Sequence, residues 1–148
     1  MKFFQELIWD LGELTKLPLH IDDHGACTLL IEELFPIQLD MDQAEENVVI
    51  IALLGEVPPG RFREELLKGA LKANGSYQPW GTLSYSQKKD ALILHAFLDA
   101  TECRVQTLVD FLVPFIAHAE SWQQALQSGT LPQNFASSEP SPPPFGLR

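Results

Sequence analysis

Two hydrophobic rhythms alternate along this chain, one with the period of a helix and one with the period of a strand. In residues 2 to 15, Phe4, Leu7, Ile8, Leu11 and Leu14 recur at helical spacing. They predict an amphipathic helix whose stripe is core and which ends before Leu17-Pro18. Trp9 falls off that stripe, among Lys2, Glu6 and Glu13, so it needs either a local packing partner or an outside one.

Three strands are expected next. Residues 26 to 32 (ACTLLIE) start after the turn residues Asp22, Asp23 and Gly25. Residues 35 to 41 alternate Phe35, Ile37, Leu39 and Met41 against Pro36, Gln38 and Asp40, and Pro36 suits the beginning of a strand or an edge. Residues 47 to 54 (NVVIIALL) are apolar on both faces, as in a central strand covered on both sides.

Pro58-Pro59-Gly60 breaks the sheet and opens a helix over 61 to 74, expected to close at Gly75 with a left-handed backbone. Its apolar residues cover roughly half the wheel, where a single core face needs a stripe of ~100°. Leu66, Leu67, Ala70 and Leu71 are therefore expected at a dimer interface. Residues 82 to 86 and 91 to 98 form a hairpin-like pair, ALILHAFL being apolar on both faces. A last helix spans 104 to 127, with Pro114 predicting a kink or short break and Gly129 its end.

The order is helix-strand-strand-strand-helix-strand-strand-helix, an α+β fold with helices packed on an antiparallel sheet. Residues 1 to 130 form one domain, and 131 to 148 are a Pro/Ser-rich stretch that buries too little to repay its ordering, a flexible tail.

Charge narrows the partners. The net charge is −10, and all of the excess lies in residues 1 to 60, where 12 Asp/Glu face only Lys2 and Lys16. Such a surface repels phosphate backbones and anionic lipid, so neither nucleic acid nor membrane is expected as a partner. No apolar run approaches the ~18 residues of a membrane span and the start resembles no signal peptide, so a cytoplasmic protein is expected. Cys27 and Cys103 sit in or beside apolar segments and are expected as free core thiols.

Chemistry is sparse. His20, Asp22, Asp23 and His24 look like a metal cluster only on paper, because H-x3-H joins two imidazoles on a helix and this stretch is a turn. His95 shares a strand face with Ile93 and Phe97 and is expected to be half-buried and structural. Neither a nucleophile elbow nor a phosphate-binding glycine loop occurs. No catalytic residue, metal or cofactor is expected.

The segment IIALLGEVPPGRFREELLKGALKANG at 50 to 75, HAESWQQAL at 118 to 126 and the element order resemble class I type III secretion chaperones, the CesT/SycE family, in their SycE-like, chlamydial type. The resemblance spans about residues 1 to 127. It implies a bacterial cytoplasmic dimer built around the middle helix, either a homodimer or a heterodimer with a related chaperone. It also implies an extended segment of a secreted effector or gatekeeper protein wrapped on the outer strands and first helix, with no ATPase and no cofactor. The cargo-binding residues expected here are Trp9, for its place off the stripe, and Ile37, Gln38, Leu39 and Asp40, for an edge strand beginning at Pro36. The extension after Leu131 and Pro114 depart from the family pattern. Two other readings stay open: a regulatory subunit of an obligate heterodimer, and a small α+β enzyme.

Overall fold

In the computed structural model, residues 2–30, 35–42, 44, 46–76 and 80–132 are described. The element order is α1 (Lys2–Thr15), β1 (Cys27–Leu30), β2 (Pro36–Asp42), β3 (Asn47–Glu56), α2 (Arg61–Gly75), β4 (Thr82–Ser86), β5 (Ala91–Asp99), a 3-10 turn (Ala100–Glu102) and α3 (Val105–Ser128). This is the expected α+β order. The five strands form one antiparallel sheet in the order β1-β2-β3-β5-β4. The expected tail falls almost wholly outside the described residues.

Strand alternation divides the sheet into two faces. Ile37, Leu39, Val48, Ile50, Ala52 and Leu94 point to one face and are fully buried. There they meet Phe4, Leu7, Ile8 and Leu11 of α1 and Leu108, Phe115 and Trp122 of α3 in one core. Each large aliphatic side chain buried this way contributes about 1.5–3 kcal/mol. Leu14, the fifth member of the α1 stripe, is exposed because the helix ends just after it. Thr15 Oγ1 donates to the Leu11 carbonyl at 2.7 Å, and Lys16 turns left-handed at φ 62°.

Local chemistry sets the remaining joints. Asp22 Oδ1 accepts from the backbone N–H of His24 (2.8 Å) and Ala26 (3.0 Å), so the HIDDH stretch is a turn that launches β1. These bonds, Ala26's foremost, hold the Asp22 carboxyl below its ordinary pKa. Gly75 remains helical rather than capping α2 with a left-handed residue; Ser76 breaks away in extended backbone while its N–H reaches the Lys72 and Ala73 carbonyls. Pro114 does not break α3, which runs through it to Gly129 at φ 74°. After that turn Leu131 folds back: a Cβ on Gly69 of α2 would stand 2.9 Å from a Leu131 methyl. The packed body therefore extends through Leu131, one position past the expected domain end. Cys27 and Cys103 are both free and buried, and burial raises both thiol pKa values.

Candidate functional site

The face of the sheet turned away from the core has no helix on it among the described residues. It is nonetheless apolar at its centre. Val49, Ile51 and Leu53 of β3 stand opposite Phe97, His95 and Ile93 of β5. All are partly exposed, Phe97 at 56%. Leu30 on β1 adds a side chain that is 75% exposed. The expectation that strand 47 to 54 is covered on both sides is thus corrected: the chain covers one side only, because its helical stripes converge on the same core. Double-sided apolarity was visible in the sequence, and the missing cover was not.

The residues expected to bind cargo are not brought together. Ile37 and Leu39 are fully buried in the core and cannot meet a partner in the folded chain. Gln38 and Asp40 lie on the open face, where Asp40 Oδ1 also accepts from Met41 N–H at 2.7 Å. Trp9 is 69% exposed on α1, which lies on the other side of the sheet, beside a shallow hollow of about 390 Å³ edged by Gln5, Glu6 and Asp10. Nor is β2 an edge: it pairs with β1 and β3, and Pro36 sits at its first position, opposite Leu30, where the ladder ends.

The true edges are β1 and β4, and they differ. On β4, Leu83 N–H donates to Asn74 Oδ1 (2.9 Å) and its carbonyl accepts from Asn74 Nδ2 (2.7 Å), so a side chain of α2 takes the place of a neighbouring strand. The N-terminal end of α2 is tied to the same hairpin. Arg63 bonds Asp90 and Tyr85, Nη2 reaching Tyr85 Oη at 2.8 Å, and Tyr85 Oη also donates to Asp90. Arg63 beside it, above all, keeps the Asp90 carboxyl below its usual range. On β1, Ile21 bridges only Cys27, so Thr28 to Leu30, paired with β2 on one side, have no strand on their outer side among the described residues.

The four residues expected at the dimer interface separate too. Leu66 and Ala70 point into the protomer core, at 0% and 6% exposure. That removes them from any interface, because the helix's inner arc already covers the β4 end of the core. Leu67 is half-buried against the core, and Leu71 is 72% exposed.

Among the described residues, no group of three or more His, Cys, Asp or Glu is placed to hold a metal ion, and no helix is long and apolar enough to cross a membrane. His118 Nε2 is buried without a hydrogen-bond partner among the described residues, and burial lowers the pKa of that imidazole.

Known structures share this arrangement. A chain in the HopA1-SchA chaperone-effector complex superposes with a TM-score of 0.67 at 25% identity, covering 83% of this chain and 94% of its own. A chain in the ExsC-ExsE complex gives 0.66 at 19%, with 82% and 91% covered. One in the ExoU-SpcU complex of the Pseudomonas aeruginosa type III secretion system gives 0.63 at 15%, with 82% and 98% covered. The last two, being under 25% identical, speak for the fold. No curated protein matches the chain. The model of the Tir chaperone protein (CesT) family matches residues 6–123, most of the chain, and this protein belongs to that family.

Proposed function

We propose that this chain is a type III secretion chaperone, working in the bacterial cytoplasm. It holds an extended N-terminal segment of a secreted effector or gatekeeper protein soluble and ready for export, without catalysis. The observation that carries this reading is the open sheet face, with apolar rows on β3 and β5 and Phe97 56% exposed. A holder without ATP works by equilibrium binding, so it must offer apolar surface and strand edge that an unfolded segment can complete. The unpaired stretch of β1 borders this face. A segment that also passed round that edge would meet Trp9, 69% exposed, on the far side. Wrapping of this kind spreads the cost of ordering over a large area.

Leu71, with Leu67 beside it, is proposed as the contact to a second copy across α2. Changing both to Glu would place two carboxylates in that contact, which costs several kcal/mol. Sedimentation should then show monomer, and an unchanged dimer would remove α2 from the interface.

The functional test is recovery of a secretion substrate with the tagged chain from its native cytoplasm, read by mass spectrometry. Phe97→Ser, with fold verified, should reduce the recovered substrate at least tenfold, the loss of an anchor worth ~1.4 kcal/mol or more. Equal recovery would take the open face out of the binding surface. A wild-type chain that brings down no exported protein would sink the chaperone reading.

A further inference from the structure

The apolar centre of the open face contains one ionisable side chain, His95. It stands opposite Ile51 of β3 and Thr82 of β4, between Ile93 and Phe97 on its own strand. Its ring is held on two sides. Nδ1 lies 3.2 Å from Ser84 Oγ, and Phe97 meets the ring edge-on at 5.7 Å between centroids, with 73° between planes. Nε2 has no hydrogen-bond partner among the described residues.

We propose that His95 is a specificity-determining residue of this face: it admits an uncharged apolar segment while its imidazole is neutral and releases that segment when protonated. The inference rests on the reading that the open face is where the effector segment lies. A docked segment would strip the remaining water from a half-buried ring. A neutral ring tolerates this, since Nε2 can pair with a backbone group of the extended segment. An imidazolium would be a charge enclosed by Ile51, Ile93, Phe97 and the occupant, and such a group gives up its proton or its cover.

The charged groups around it do not alter this. Asp40 on β2 stands opposite Val49, Asp42 and Asp99 flank Asn47 towards the same end of the face, and Glu56 lies opposite Ala91 at the other end. None is opposite His95. Thr82, Ser84 and Ser86 of β4 carry no charge, and neither Lys nor Arg projects from the strands of this face among the described residues. Burial already depresses the His95 pKa in the uncovered face, and covering it depresses it further. Affinity then falls as pH drops through the uncovered value and levels off below the covered one. An acidic residue of the occupant placed over the ring would reverse that sign, so the preferred segment is apolar there.

The test uses the full chain and Nile red, an uncharged apolar dye, titrated at about pH 7.5 and about pH 5.5 with the fold checked by circular dichroism at both. Wild type should bind more weakly at the lower pH, by at least about twofold, the direction that a pKa lowered further on covering dictates. His95→Phe, or His95→Gln if the first misfolds, should differ less than twofold between the two conditions. Phe97→Ser should lose dye binding at both. A wild-type ratio below twofold, or a His95 variant that keeps the full ratio, overturns the proton gate and leaves the binding face standing. If Phe97→Ser binds dye like wild type at pH 7.5, the face itself is not the binding surface, and the inference falls with that reading.

Discussion

The two faces of the β-sheet are built from the same strands and nearly the same residue types, yet they serve opposite ends. Along β5, Leu94 is fully buried and Phe97 is 56% exposed. Along β3, Val48, Ile50 and Ala52 are closed off, while Val49, Ile51 and Leu53 remain partly open. One face is the core because α1 and α3 lay their stripes on it. The other keeps a comparable chemical character without a cover of its own. Exposed apolar patches of this kind mark binding surfaces in soluble proteins, which is why the proposed cargo surface is placed on the open face.

The strongest way to break the contrast is to truncate one residue on each face of β5. Leu94→Ala should cost about 2–5 kcal/mol of unfolding free energy, the usual range for a core leucine that leaves a cavity. Phe97→Ser should change stability by less than ~1 kcal/mol, as surface substitutions do. Urea unfolding measures both, and equal costs would show that the outer face is packed after all.

A smaller effect is expected at the sealed edge. Asn74→Ala leaves Leu83 N–H and C=O without their side-chain partner, for a loss of about 1–3 kcal/mol if water does not replace it. Amide exchange at Leu83 should rise while exchange at Leu94 on the neighbouring strand stays slow. Unchanged protection would mean that the edge is shielded by something other than Asn74.

Acid should reach both faces. His95 on the open face and His118 on α3 each have a pKa lowered by burial, so the folded state binds fewer protons than the unfolded one. Stability is therefore undiminished above the unfolded value near ~6.5 and falls as pH drops from there through the folded values. His118→Leu removes a half-buried ring whose buried Nε2 has no partner among the described residues, and it should flatten that decline without weakening the protein at neutral pH. Urea midpoints at about pH 7.5 and 5.5 measure it, and an unaltered decline would exclude His118 as a source.

The smallest effect belongs to the end of the chain. Deleting residues 132 to 148 while keeping Leu131 against Gly69 should move Tm by no more than a degree or two. A fall of ~5 °C, about what 1 kcal/mol produces in a small domain, would mean the removed segment packs on the body.

Most of the architecture was legible because periodicity is a local property. The α1 stripe, the alternation of β2 and the glycine stop at Gly129 each follow from a few neighbouring residues, and their element boundaries agree with the structure to within a few residues. Pro36 misled, since a missing N–H is equally compatible with an edge strand and with the first position of an inner one. Gly75 misled in the same way, because glycine permits a left-handed residue without requiring it.

What the sequence determined by itself was the order of elements, the apolar periodicity within each and the family resemblance, all carried by short-range pattern. What only the tertiary structure decided was which apolar rows are left over. It sent Ile37, Leu39, Leu66 and Ala70 inward, left Leu71, Phe97 and Trp9 outside, and placed Trp9 across the sheet from Gln38. Whether an apolar face is covered depends on where elements distant along the chain come to rest. No window of neighbouring residues contains that information.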